Sequence, residues 1–216
     1  MRILPRSGIE MTIVYPLGRN IYLNITNRCQ TACIFCIRYV DDYRIDDYNL
    51  RLEHEPTVEE VLTEFDHVAS THPDYDEIVF CGMGEPLVRL PEVLAIAETL
   101  KSRGHTIRVD TNGLVNLSAG IDATPQLSRV VDSLSISLNA GNARDYAQVC
   151  PSAWGEAAFP ALLDFIHLAK ERFKQVRVSV VHPNAYARLG KPCPIDLDEC
   201  RHLADSLGVS LHLRGR

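Results

Sequence analysis

Cys29, Cys33 and Cys36 form a C-x3-C-x2-C array inside residues 24–39, NITNRCQTACIFCIRY, after an alternating apolar segment and just before Arg38. Three thiolates this close in sequence can hold three irons of a cubane. The fourth iron of a [4Fe-4S] cluster then has no protein ligand, and a small molecule with an amine and a carboxylate can chelate it. Two plainer uses stay open: a zinc site, which needs a fourth ligand from elsewhere, and buried structural thiols. Residues 80–86, FCGMGEP, place Gly82 and Gly84 where a backbone can come close to a ligand, followed by the Glu85 carboxylate and a rigid turn at Pro86. Alone, this segment is better read as a glycine-rich turn that binds nothing.

The elements that position these residues follow from periodicity. Residues 12–15 and 20–25 read as two strands around the turn Pro16-Leu17-Gly18-Arg19, and the second strand delivers Cys29 from its C-terminal end. Residues 41–54 are polar and acidic without period, a loop that could cover a site or, more commonly for such a run, a solvated surface excursion. Thr57 with Glu60 starts a helix whose apolar face is Val61, Leu62, Phe65 and Val68. Residues 77–81 form a buried strand running into the GMGEP segment, and Val93, Leu94, Ile96, Ala97 and Leu100 line a second helix closed by Gly104. Strands then follow at 106–110, 133–138, 176–181 and 209–213, separated by helices near 125–131, 156–173 and 196–207. In the 156–173 helix, Phe159, Leu162, Leu163, Ile166 and Leu168 are the expected core.

Short strands joined by helices imply parallel pairing with right-handed crossovers, and ligands collect at the carboxyl ends of such strands. The unusual residues fall at those ends: the cysteines, GMGEP, Asp110-Thr111-Asn112-Gly113, Ser137-Leu138-Asn139-Ala140-Gly141 and His182-Pro183-Asn184. Six strands, besides the N-terminal hairpin strand, are too few for a closed eight-stranded barrel. The expected fold is α/β: an open (β/α)6 partial TIM barrel with an N-terminal β-hairpin extension. Residues 1–10 read as a loose extension or a misplaced start, and 11–216 as one domain.

Composition bounds the function. A 216-residue chain with 46% apolar and 23% charged residues is an ordinary globular domain. A net charge of −6 without a basic stripe argues against nucleic acid or anionic membrane as partner. Seven cysteines, three of them clustered, fit a reducing cytoplasm better than a secreted disulfide framework, and no signal peptide or membrane span is visible. Cys81 and Cys200 read as core. Cys150 and Cys193, each before a proline, read as site thiols or members of a second cluster.

The cysteine array and the GMGEP segment together resemble the signature of the radical S-adenosylmethionine (radical SAM) enzymes. Within them the chain is most similar to the short TatD-associated proteins, through YLNITNRC, the EPT helix start, GMGEP, DTNG, SLNA with a following Tyr and Cys-Pro, and a closing strand with Arg. Similarity to small activases, 7-carboxy-7-deazaguanine synthases and GMGEP-bearing RNA adenine methylases covers only the shared core. The resemblance implies a [4Fe-4S] cluster on Cys29, Cys33 and Cys36 and S-adenosylmethionine on its open iron. It implies that Met83, Gly84 and Glu85 meet the methionyl ammonium, that Asp110, Asn112, Ser137 and Asn139 face the cofactor, and that Phe35 packs by the adenine. The family's glycine-rich adenine motif is missing from residues 176–181, VRVSVV. Arg38, His182 and Arg214 are candidate substrate contacts. The implied partners are a one-electron reductant of flavodoxin or ferredoxin type, an unidentified small-molecule or protein substrate, and a TatD-like hydrolase as functional neighbour. A rival of another class is a non-catalytic iron-sulfur or zinc-binding module.

Overall fold

The computed structural model describes residues 11–39, 42–188, 190 and 194–215. The expected extension at 1–10 and Cys193 lie outside them. Strand β1 (Val14–Leu17) turns back into β2 (Asn20–Leu23), and a separate small hairpin follows, β3 (Arg44–Ile45) with β4 (Tyr48–Asn49). The other strands are β5 (Glu77–Phe80), β6 (Ile107–Thr111), β7 (Ser133–Ser137), β8 (Gln175–Val181) and β9 (Ser210–Arg214). Between them run α1 (Val58–Thr71), α2 (Leu90–Ser102), α3 (Val115–Ala119), α4 (Thr124–Val130), α5 (Ala143–Val149), α6 (Ala158–Arg172), α7 (Pro183–Arg188) and α8 (Leu197–Leu207).

The main sheet has the order β1-β2-β5-β6-β7-β8-β9. From β2 to β9 every pair is parallel, and β1 alone runs antiparallel against β2. This is the expected open partial barrel with its N-terminal hairpin. Because successive strand residues face opposite sides, Ile21, Leu23, Ile78, Phe80, Ile107, Val109, Leu134, Ile136, Val178 and Val180 enter the core under the helices. Their neighbours Tyr22, Arg108, Asp110, Ser135, Arg177, Ser179, His212 and Arg214 therefore line the other, concave face. No helix among the described residues is long and apolar enough to cross a membrane.

Local chemistry fixes the helix ends. Thr57 Oγ1 accepts from Glu60 N at 3.2 Å while Glu60 Oε2 accepts from Thr57 N at 2.7 Å, so two orphan donors at the start of α1 are satisfied reciprocally. Thr57→Ala is expected to cost about 1 kcal/mol in urea unfolding.

Three local expectations are corrected. The first turn is tighter than four residues: Pro16 and Leu17 pair within β1, an edge strand that tolerates proline, leaving Gly18 and Arg19 as a two-residue turn with Gly18 at φ +59°. The polar run at 41–54 is not simply a loop. Its Tyr43, Ile45 and Tyr48 pack on Tyr15, Leu50 and Met83, and two-residue strands are too short to leave a period in sequence. In α6, Phe165 and Ala169 are buried and Leu163 packs against the core while partly exposed, whereas Leu168 is partly exposed and outside it, a small rotation of the apolar stripe.

Candidate functional site

The loop after β2 is held from below by Asn24, which is fully buried. Its Nδ2 donates to Thr12 O and Leu50 O at 2.9 Å each, and its Oδ1 accepts from Met83 N at 3.4 Å. One amide thus ties together the N-terminal hairpin, the cover formed by residues 42–50, and the GMGEP loop. Glu55 fixes the same loop from outside, accepting from Thr26 Oγ1 at 2.6 Å and from Arg28 through two bonds of 2.7 and 2.9 Å. Buried Arg89 donates to Ile25 O at 2.9 Å and Pro56 O at 2.8 Å. Sequence reading passed over Asn24, Glu55 and Arg89 as site-builders, because bonds to loop carbonyls leave no pattern along the chain.

The glycines of GMGEP answer to this loop. A Cβ on Gly82 would lie 2.1 Å from Asn24 Oδ1, and one on Gly84 would lie 2.3 Å from Thr26 O and 2.6 Å from Arg28 O. Gly84 thus lets this segment approach the backbone that carries Cys29, and Gly82 lets it approach the Asn24 side chain. Met83 is accommodated because its side chain turns into the Tyr15 and Leu50 cluster.

Glu85 links the second strand end to the third. It is 3% exposed, and its carboxylate accepts from Thr111 Oγ1 at 2.7 Å, Asn112 N at 2.6 Å and Leu87 N at 3.1 Å. Burial pushes this carboxyl up to about 7, against the pull of those three donors. The folded protein thus keeps a proton that the unfolded chain releases near 4.5. This group's contribution to stability is full below pH 4.5 and falls as pH rises to about 7, by roughly 3 kcal/mol in all. A 13C carboxyl titration of the cofactor-free protein should show one glutamate titrating near pH 7. Finding every glutamate in its ordinary range would contradict the buried placement. Asn112, positioned by the same bonds, directs Nδ2 to Gln30 Oε1 at 3.1 Å and to Cys29 Sγ at 3.8 Å.

The other side of the array is built by Thr31, Cys150 and two arginines. The Cys29 and Cys33 sulfurs each lie 3.3 Å from the Thr31 hydroxyl, and Cys33 Sγ lies 3.4 Å from Cys150 Sγ. Arg38 folds over the loop, donating to Asn27 O and Thr31 O at 3.2 Å each, and Arg214 donates to Asn139 Oδ1 at 3.0 Å. The Cys150 thiol, Thr31 and the charges of Arg214 and Arg38 hold the Cys33 thiol below its usual range despite burial, whereas burial raises Cys29 and Cys36.

The remaining candidates divide. Phe35 stands edge-on to Tyr186 of α7 with ring centroids 5.6 Å apart, and Ser137 sits partly exposed at the end of β7. Asp110 lies on the concave face, accepting from Arg108 Nε at 2.8 Å. His182 Nδ1 accepts from Asn184 N at 3.1 Å, so this ring caps the start of α7. Cys200 is buried as expected, but Cys81 is only half-buried, on the concave face rather than in the core. Desolvation, with Asp110 adding, pushes its thiol up to about 12.

The site suits an anionic, sulfur-ligated group. Arg38 and Arg214 both bring positive charge to Cys33, and the buried Nε of each has no hydrogen-bond partner. Thiolates are the soft donors that iron-sulfur clusters take. Among the described residues, no three His, Cys, Asp or Glu side chains are gathered around one point as a single ion would need.

The Radical SAM superfamily profile matches residues 23–185. The chain is 29% identical over 154 residues to a probable dual-specificity RNA methyltransferase RlmN of Trichormus variabilis, covering 67% of this chain and 39% of that protein. It is 32% identical over 95 residues to a tungsten-containing aldehyde ferredoxin oxidoreductase cofactor-modifying protein of Pyrococcus furiosus, covering 43% and 23%. The chain therefore spans about two-fifths or less of the curated relatives it matches. Among solved structures, a radical SAM methyltransferase from Sphaerobacter thermophilus superposes with a TM-score of 0.56 at 16% identity, covering 93% of this chain and 68% of that one. Native anSMEcpe with bound AdoMet superposes with a TM-score of 0.58 at 15% identity, covering 89% and 50%. At these identities the likeness is one of fold.

Proposed function

Since the chain belongs to the radical SAM superfamily, whose members are enzymes, we propose that Cys29, Cys33 and Cys36 hold a [4Fe-4S] cluster whose fourth iron binds S-adenosylmethionine. The observation that carries this reading is the meeting of the cysteine loop and the GMGEP loop at adjacent strand ends, where Glu85 N donates to Arg28 O at 2.8 Å. Held by Cys29, Cys33 and Cys36, a reduced cluster would supply the one-electron chemistry for reductive cleavage of S-adenosylmethionine and hydrogen-atom abstraction from a substrate.

The chain's own residues supply placement. Backbone carbonyls of Met83 and Gly84 receive the methionyl ammonium, with Glu85 bracing their loop against Thr111 and Asn112. Ser137 faces the ribose and carboxylate, Asp110 and Asn112 at the end of β6 face the cofactor, and Asn139, buried behind them in this reading, has its amide on Arg214 and Cys150. Phe35 backs the adenine, and the β3–β4 cover with Tyr48, Tyr15 and Met83 keeps water from one side. Arg38 and Arg214 neutralise charge at the array, and His182 contributes by starting α7.

Residues 11–216 act as one radical SAM domain in this reading, with a flavodoxin- or ferredoxin-type reductant, in a reducing cytoplasm. The YLNITNRC and Cys-Pro segments support a place in the TatD-associated group, with a TatD-like hydrolase as functional neighbour. The RNA methyltransferase activity named for a relative is not carried over, because a net charge of −6 gives RNA phosphates little purchase. The test is anaerobic reconstitution with iron and sulfide, then dithionite and S-adenosylmethionine. Equal amounts of 5′-deoxyadenosine and methionine are expected. Retention of zinc alone with no cleavage would favour the binding-module reading.

A further inference from the structure

A hydrogen-bond path leads from β9 to the middle cysteine. Arg214 Nη2 donates to Asn139 Oδ1 at 3.0 Å, Asn139 Nδ2 donates to Cys150 Sγ at 3.4 Å, and Cys150 Sγ lies 3.4 Å from Cys33 Sγ. Asn139 and Cys150 are each 2% exposed, so water does not compete for these bonds. Asn139 has φ +61°, a left-handed conformation that asparagine adopts at less cost than most side chains. Backbone pairing holds Cys150 in place: Ala32 N donates to Pro151 O at 2.8 Å, Ile34 N donates to Val149 O at 3.0 Å, and Thr31 bridges Ser152. The segment around Cys150 is thus a short strand-like partner of the cysteine loop itself.

We infer that Cys150 is a positioning residue whose S–H donates to the Cys33 sulfur, oriented by the path from Arg214 through Asn139. This rests on Cys33 being a cluster ligand, as proposed above. A ligated cysteine is a thiolate and only accepts, so the one proton between the two sulfurs sits on Cys150. The Asn139 N–H occupies a lone pair of the Cys150 sulfur, leaving its hydrogen directed at Cys33. Donors aligned in one direction polarise one another. A hydrogen bond to a ligand sulfur stabilises the more negative, reduced cluster more than the oxidised one, which raises its potential.

The test compares reconstituted wild type, Cys150→Ala and Cys150→Ser at matched iron and sulfide content, by redox titration followed by electron paramagnetic resonance. In Cys150→Ala the reduced-to-oxidised ratio at a fixed potential is expected to fall about tenfold, ~59 mV for a one-electron couple. Cys150→Ser, which keeps a donor, should stay near wild type. Equal potentials in all three proteins overturn the inference. A cluster held by the serine variant and lost from the alanine variant supports it, and loss from both overturns it in favour of a ligand or packing role. A wild type that holds no cluster overturns the function proposed above, and this inference with it. A second readout needs no cluster: in the reduced, metal-free protein, diamide should take two electrons and two protons from the Cys33 and Cys150 thiols and leave a disulfide joining them. Peptide mapping that finds Cys33 joined to Cys29 or Cys36 instead would overturn the adjacency.

Discussion

Cys29→Ala, Cys33→Ala and Cys36→Ala are each expected to reduce 5′-deoxyadenosine formation at least ~10³-fold, a loss of about 4 kcal/mol or more in the chemical step. Each variant removes one of three thiolates, and among the described residues the other thiols are poor substitutes. Cys150 lies 3.4 Å from Cys33, but it is buried and pinned by the pairing of residues 149–152 with the cysteine loop. Cys81 lies on the concave face beside Asp110, with its thiol raised to about 12, which makes it a poor source of thiolate at neutral pH. Cys200→Ala is the control, because Cys200 is buried in α8. It should retain iron, sulfide and cleavage while losing some stability. The check is product formation per protein with iron content measured alongside. A Cys33→Ala protein that still cleaved S-adenosylmethionine at the wild-type rate would remove the array from the reaction.

The fold could be read from the sequence because its signals are local and repeated. Alternating strands such as Ile21-Tyr22-Leu23, the Thr57 and Glu60 capping box, and Gly104 after α2 each specify one element, and the order of elements then allows few topologies. What escaped was set by contacts across the chain. The β3–β4 cover depends on Tyr43, Ile45 and Tyr48 finding Tyr15, whose ring stacks on Tyr22 at 5.3 Å, and nothing in residues 42–49 announces that partner. The strand-end residues could be named from sequence, but their duties were less legible. His182 is a candidate substrate contact by its place at a strand end, and its bond from Asn184 N at the start of α7 is a further duty that the sequence does not display. Glu85 can be named from its place in GMGEP, but its three donors, Thr111 Oγ1, Asn112 N and Leu87 N, are set by contacts that the sequence does not display. Cys150 is 117 residues from Cys33, and only the pairing of α5's end with the cysteine loop brings the two sulfurs together.

Gly84→Ala is expected to do more damage than its size suggests, on the order of 3 kcal/mol or more of stability, with loss of iron from whatever protein remains folded. The added Cβ would stand 2.3 Å from Thr26 O and 2.6 Å from Arg28 O, and neither is the end of a flexible side chain. Thr26 is fixed by Glu55, whose carboxylate also holds Arg28, and Ile25 is fixed by buried Arg89. The cysteine loop therefore cannot yield cheaply. The GMGEP loop cannot retreat either, since Glu85 is bonded to Thr111, Asn112 and Leu87 and Met83 is buried under the cover. One set of bonds must break, and the residue next to the strained carbonyl of Arg28 is Cys29. Gly18→Ala separates this from ordinary glycine effects. Gly18, unlike Gly84, has a positive φ, +59°, but a Cβ there meets nothing within 4 Å, so it should cost only about 1 kcal/mol and leave iron content unchanged. Urea midpoints and iron per protein, measured on both variants, make the comparison. Equal stability and full iron in Gly84→Ala would show that the two loops do not touch, and the bracing of Cys29 by the second strand end would fall with them.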